Sequence, residues 1–203
     1  EVERLLGIPV LATIPLIGDR TVPARGMVAH LKQTSEVAES FRTLRASLLL
    51  KEEIRNARVL MITSAGPGEG KSLVSANLAI SLAQDGRKTL LVGADLRRPV
   101  LSKIFGADPD SAGLAEVLKG EIPWPEALLR QDVANLDVMG SGLVPSHPSE
   151  LLGRKQLADF LRAARGAYQH VILDAPPVLG VSDSLVLLPN ADGRSEERRV
   201  GKE

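Results

Sequence analysis

The sequence predicts an α/β fold, a mainly parallel sheet flanked by helices, and three observations carry that prediction. Four short and mostly apolar runs, 58–63, 89–92, 136–139 and 171–173, have the length and composition of strands buried on both faces. Stretches with helical character separate them, and strands alternating with helices form parallel sheets because each parallel pair needs a crossover connection. A glycine-rich turn at 65–70 joins the first run directly to a helix, as in an anion-binding loop.

In chain order, residues 1–35 hold two apolar snippets, 8–12 and 13–17, and then a loop-rich stretch to Ser35 that reads as a linker segment. From Glu36 the pattern is helical: Val37, Phe41, Leu44 and Leu48 share one face, while Glu39, Arg42 and Arg45 form a polar stripe elsewhere. The strand 58–63 and the loop are followed by a helix over 71–84, which Gly86 is placed to stop. After the strand 89–92, helical stretches are expected around 100–105, 113–118 and 125–129. The strand 136–139, a helix over 149–164 and the strand 171–173, closed by Asp174, complete the pattern. Residues 36–193 therefore read as one domain. Seven of the eleven residues at 193–203 are charged and no apolar period survives there, the mark of a solvated end.

Composition narrows the chemistry. The chain has 203 residues, 44% of them apolar, enough for a real core. The absence of cysteine excludes a disulfide framework, a thiol nucleophile and any Cys-ligated metal centre. Lys plus Arg and Asp plus Glu stand at 25 each, and a neutral balance argues against nucleic acid as a partner. With five aromatic residues, base stacking is equally unpromising. The longest uncharged N-terminal run, 5–18, is broken by Pro9 and Pro15 and falls short of the ~20 apolar residues of a membrane span. The opening Glu-Val-Glu-Arg has no signal-peptide character, and a first residue of Glu suggests an upstream segment.

The strongest chemistry lies in Ser64-Ala-Gly-Pro-Gly-Glu-Gly-Lys-Ser72, a Walker A pattern with Ala65 at its first position. Gly66, Gly68 and Gly70, with Pro67, Glu69 and Leu73 around them, allow backbone N–H groups to curl round the phosphates of ATP at a helix N-terminus. Lys71 supplies a point charge for the β- and γ-phosphates, and the Ser72 hydroxyl a ligand for Mg²⁺. Magnesium also needs carboxylates at the ends of neighbouring strands, and Asp95 and Asp174 stand there. Each alone could be an ordinary turn or capping aspartate; together with the loop they make a nucleotide–metal site of a P-loop NTPase.

These motifs resemble the bacterial tyrosine kinases (BY-kinases), the ATPase domains of polysaccharide co-polymerases. The segment 6–15 is similar to the one that follows the second membrane helix in that family. Glu39-Ser-Phe-Arg42-Thr-Leu-Arg45 resembles its ExxRxxR helix, Ala94-Asp-Leu-Arg-Arg-Pro99 its Walker A′, and 171–177 its Walker B. The strings at 113–120 and 148–152 fall in family order too. The resemblance implies transfer of the ATP γ-phosphoryl group to tyrosine, regulating capsular or exopolysaccharide polymerisation and export. It implies a homo-oligomeric ring on the cytoplasmic side of the bacterial inner membrane, with a membrane domain in the same or a partner chain. Acceptors would lie on the tyrosine-rich tail of a neighbouring subunit. Carried over to this chain, Lys71, Asp95 and Asp174 are the catalytic set, with Asp95 metal-linked or the base for the tyrosine hydroxyl. Ser72, Asp95 and Asp174 would hold magnesium, and Glu39, Arg42 and Arg45 the subunit contact.

Three departures qualify the resemblance. Gly93 stands where the Walker A′ has a first aspartate, so a weak catalyst acting by nucleotide-gated ring assembly is the alternative function. His147 stands where the family has Asn before Pro148, a poorer helix cap, for which Ser146 could substitute. From residue 194 the family continues with an apolar strand and a tyrosine-rich tail, and the sequence has neither, so 194–203 are expected to be foreign to a truncated domain. A partitioning-type ATPase is the further alternative; it would carry lysine at position 66, which is Gly66 here. Tyr168, the single tyrosine, is expected to pack rather than to accept phosphate, and Trp124 to pack a turn.

Overall fold

The computed structural model describes residues 9–51, 56–179 and 182–197. Two short helices, α1 (Val22–Gly26) and α2 (Val28–Leu31), precede the long α3 (Glu36–Leu50). The strand β1 (Val59–Ser64) then leads into α4 (Lys71–Gln84), and β2 (Thr89–Gly93) is followed by α5 (Leu101–Ile104) and α6 (Leu114–Lys119). A 3₁₀ turn, Trp124–Ala127, runs into β3 (Leu128–Leu129) and β4 (Leu136–Met139). The remaining elements are α7 (Pro148–Leu152), α8 (Lys155–Ala167), β5 (His170–Asp174), α9 (Asp183–Leu187), a 3₁₀ turn at Leu188–Asn190 and β6 (Gly193–Glu197).

The sheet runs β3-β4-β2-β5-β1-β6, all parallel except the antiparallel β3 at one edge. Alternation along each central strand divides the core into two layers. Val59, Met61, Leu90, Val92, Val171 and Leu173 face α6 to α9. Leu60, Ile62, Leu91 and Ile172 face α3 and α4, where Phe41, Leu44, Leu78 and Leu82 cover them.

Four expectations change. The stretch before Ser35 is not loop throughout: Thr21 caps α1 through the Ala24 N–H, Pro23 fits its first turn, and Val28 and Ala29 are buried in the core beneath α3. Leu11, Ala12, Ile14 and Ile17 pack on the same core, so residues 9–35 share the domain's packing. The helix expected at 125–129 is a single 3₁₀ turn, because Leu128 and Leu129 pair with Met139 and Val138 of β4 instead. The helix expected over 149–164 is two helices, broken where Arg154 turns extended after Gly153. Neither His147 nor Ser146 makes a side-chain cap for α7.

Past Asp192, where no apolar strand was expected, the backbone of Gly193–Glu197 pairs in parallel with β1. Main-chain hydrogen bonding does not require apolar side chains, and an edge strand accepts charge readily. Residues 198–203, and residues 6–8 of the 6–15 segment, lie outside the described residues.

Tyr168 is buried, as expected of a packing residue. Its hydroxyl donates to Asp137 Oδ2 at 2.7 Å, and its ring meets Trp124 edge-on at 6.1 Å. Trp124 also packs against Phe160. His170, the first residue of β5, is buried, and neither ring nitrogen has a hydrogen-bond partner among the described residues.

Burial, with the nearby positive charges of Arg87 and Arg58, holds His170 below its ordinary value of 6.5. The unfolded chain therefore binds a proton that the folded chain refuses, and folding stability rises with pH up to about 6.5. Urea unfolding at pH 5.5 and 7.5 checks this: the parent is less stable at pH 5.5, and His170→Leu narrows the difference.

Candidate nucleotide-binding site

The site is built where β1, β5 and β2 lie side by side. Register sets Ile62 and Gly93 on either side of Asp174, so β2 and β5 end at one level while β1 runs two residues further, to Ser64. The Ala94 N–H donates to Asp174 O at 3.0 Å, and the Ala175 N–H to Ile62 O at 2.9 Å, extending the ladder past the carboxylate. Ligands of open α/β sheets bind at such carboxyl ends, where successive connections part to opposite sides.

The loop 65–70 leaves β1 and enters α4 through Gly70, whose φ of 107° is left-handed backbone that favours glycine. Among the described residues, the N–H groups of Gly66, Gly68, Glu69, Gly70, Lys71 and Ser72 donate to no protein acceptor. They form a cradle of free donors at the positive end of α4, suited to phosphate oxygens. The Glu69 carboxylate folds back on the loop and accepts the Ala65 N–H at 3.0 Å, while Ser64 Oγ donates to Gly66 O. Pro67 is exposed at the tip and Leu73 packs on the core below.

The structure brings Lys71, Ser72, Asp95 and Asp174 together. Lys71 Nζ lies 2.8 Å from Asp95 Oδ2, 3.9 Å from Asp174 Oδ1 and 3.3 Å from Ser72 Oγ. Lys71, Asp95 and Asp174 are only 8%, 3% and 2% exposed, so these charges act through little solvent screening. Burial pushes the Asp174 carboxyl above its usual range despite the opposing pull of Lys71 and Ser72. Ser75, which the sequence did not single out, lies 3.2 Å from Asp174 Oδ1 and 2.8 Å from Lys71 O.

Asp95 is oriented by its own loop: Oδ1 accepts the N–H groups of Arg97 at 3.2 Å and Arg98 at 3.0 Å, leaving Oδ2 to Lys71. Among the described residues no cluster of three His, Cys, Asp or Glu could hold a metal alone. Two carboxylates and a serine hydroxyl beside a phosphate cradle fit magnesium, which ordinarily takes one or two carboxylates and completes its shell with phosphate and water.

Gly93 also has a steric reason to be glycine in this fold. A Cβ there would sit 2.6 Å from Ser141 Oγ and 3.0 Å from Ser141 N. Ser141 in turn donates to Asp95 O at 3.2 Å. The serine thus fills the space beside β2, and an aspartate cannot be added at 93 without displacing it.

The polar stripe of α3 divides. Glu39, with its side chain 64% exposed, pairs with Arg42, which also donates to Gln33 O at 2.9 Å. Arg45 turns inward, 19% exposed, donating to Ser81 O of α4 at 2.7 Å and pairing with Asp85 at 3.4 Å. Glu39 and Arg42 remain at the surface; Arg45 is tied to its own chain.

Comparison with known proteins places these features in context. Residues 57–192 match the AAA domain family. The chain is 39% identical over 169 residues to the tyrosine-protein kinase YwqD of Bacillus subtilis, covering 83% of this chain and 71% of that protein. It is 34% identical over 201 residues to the tyrosine-protein kinase ptk of Acinetobacter johnsonii, covering 92% of this chain but only 26% of that protein. The kinase domain of the Escherichia coli tyrosine kinase ETK superposes with a TM-score of 0.85 and 33% identity over 97% of this chain and 80% of that one. The septum site-determining protein MinD of Pyrococcus horikoshii, complexed with Mg-ADP, superposes less completely, with a TM-score of 0.59 and 28% identity over 68% of this chain and 56% of that one.

The Gly93–Ser141 contact predicts a non-additive pair. Gly93→Asp alone destabilises the fold by about 1–3 kcal/mol through overpacking, and adding Ser141→Gly recovers part of that loss. Urea unfolding of the two single variants and the double variant measures the coupling; strict additivity would contradict it.

Proposed function

The chain belongs to the bacterial tyrosine kinases of the P-loop class, and on that premise we propose that it uses magnesium-ATP to phosphorylate tyrosine on a partner polypeptide. The observation that carries the reading is the convergence of Lys71, Ser72, Asp95 and Asp174 on a loop whose N–H donors are free. In the reaction the tyrosine oxygen bonds to the γ-phosphorus, the bond from that phosphorus to the β,γ-bridging oxygen breaks, and ADP leaves. The loop N–H groups and Lys71 hold the β- and γ-phosphates and stabilise charge on the transferred group. Ser72, Asp95 and Asp174 would hold the magnesium ion, which neutralises phosphate charge when bound. Asp95 Oδ2, the oxygen left free by the Arg97 and Arg98 N–H groups, is placed either to join the metal or to take the phenolic proton.

The acceptor is not among these 203 residues. Tyr168 is the single tyrosine, and its hydroxyl is committed to Asp137 inside the protein. Burial, together with that carboxylate, pushes its pKa well above the ordinary 10, which makes it a poor nucleophile. Acceptor tyrosines therefore sit on a neighbouring subunit's tail or on a separate chain. Glu39 and Arg42 are offered at the surface for a ring contact, and the ring regulates capsular or exopolysaccharide export at the cytoplasmic face of the inner membrane. No helix among the described residues is long and apolar enough to cross a membrane, so anchoring falls to another domain or chain.

Gly93 favours a second reading, in which the site binds nucleotide and gates ring assembly with little turnover. A positioning ATPase of the MinD kind is less well supported, because position 66 is glycine and the MinD superposition covers less of the chain.

The test is incubation with magnesium-ATP and a tyrosine-rich peptide, with phosphotyrosine mapped by mass spectrometry. The expected result is phosphate on the peptide, none on Tyr168, and a loss of about 100-fold or more in Lys71→Met. Nucleotide binding without transfer to any tyrosine would support the weak regulator instead.

A further inference from the structure

We propose that Arg97 and Asp183 form a clamp whose role is to hold Asp95 in the geometry that accepts magnesium. The inference rests on the magnesium–nucleotide reading above and adds positioning residues that the sequence motifs do not assign.

Asp95 is oriented by the N–H groups of residues 97 and 98, so its carboxylate is only as fixed as the turn that carries them. That turn belongs to no helix or strand, and both arginine side chains leave it toward the surface. Arg97 is nevertheless anchored. Its Nε donates to Asp183 Oδ2 at 2.7 Å and its Nη2 to Asp183 Oδ1 at 3.0 Å, a two-pronged contact that fixes direction as well as distance.

The Asp183 side chain is fully buried at the start of α9, and Arg97 is its only cationic partner among the described residues. Ser149, in the first turn of α7, donates to Asp183 Oδ1 and accepts from Arg97 Nη2 at 3.2 Å. The turn after β2 is thereby tied to two helices that lie far along the chain.

Stability alone is a weak reason for this arrangement. A buried ion pair often gains nothing over well-packed apolar residues, because desolvation offsets the attraction. Burial would raise the Asp183 carboxyl, yet Arg97 and Ser149 outweigh it and hold it below the ordinary carboxylate range, so the clamp stays charged. What the contact supplies is direction, delivered two residues from a carboxylate that faces Lys71. Groups that orient a metal ligand in this way typically change metal affinity about 10- to 100-fold when removed.

Calorimetric titration with ADP, in magnesium and in EDTA, separates positioning from folding. The readout is the ratio of the two affinities. Arg97→Lys keeps the charge but loses the fork, and Asp183→Asn keeps the shape but loses the charge. Each is expected to reduce the magnesium-dependent gain about 10-fold while leaving the EDTA affinity within about 2-fold. Combined with Asp95→Asn, neither should reduce the gain further. Ser149→Ala removes one hydroxyl and should give a smaller loss in the same direction, which keeps the test decisive if a charge variant fails to fold. An unchanged ratio, or equal losses with and without magnesium, would overturn the clamp. Failure of the parent chain to bind ADP at all would instead overturn the nucleotide reading on which it rests.

Discussion

One ammonium group, Lys71 Nζ, sits between two buried carboxylates, and much of the molecule is arranged to put it there. Three charges this deeply buried are costly unless each finds a partner. Lys71 faces both carboxylates, and burial pushes the Asp174 carboxyl above its usual range, so a divalent cation that favours the ionised form of both suits the cluster. The β1–β5–β2 register delivers Asp174, the turn after β2 delivers Asp95, and the Gly70 entry to α4 delivers Lys71 with the free N–H donors beside it. A ligand that brings both phosphate and a divalent cation satisfies the donors and the carboxylates together. That complementarity links the fold to ATP chemistry more directly than any single motif.

Local signals in the sequence expose the centre of this design. Strands buried on both faces are apolar, so β1, β2, β4 and β5 were legible to within a residue or so, and the Walker A loop lay between strand and helix as its chemistry requires. Lys71, Ser72, Asp95 and Asp174 followed from spacing and strand ends. The periphery was harder to read. α1 and α2 are too short to show a helical period, and the break between α7 and α8 rests on one extended residue, Arg154. Leu128 and Leu129 form a strand only because β4 offers an edge to pair with.

Contacts set by the tertiary fold were invisible for a different reason. Arg97 and Asp183 lie 86 residues apart, and nothing near Asp183 marks it as a partner. Ser141 occupies the space beside Gly93 only once β2 and the loop after β4 have come together. A departure that the sequence presents as a missing metal ligand is therefore also a packing solution. Arg45 gives the same lesson, since a stripe that looks uniform on a helical wheel places one arginine against α4 and leaves its neighbours outside. At the sheet edge, Gly193–Glu197 pairs with β1 although no apolar run marks it, because main-chain hydrogen bonding does not require one.

On the proposed function, the Lys71–Asp95–Asp174 cluster is a nucleotide–magnesium site at rest. The most direct measurement is a crystal structure of the chain with magnesium and ADP. The expected structure has phosphates in the 65–72 loop, Lys71 turned from Asp95 to the phosphate oxygens, and the metal beside Ser72 with at least one of Asp95 and Asp174. Phosphates bound elsewhere, or a bound nucleotide with the Lys71–Asp95 pair intact and no metal between them, would contradict it.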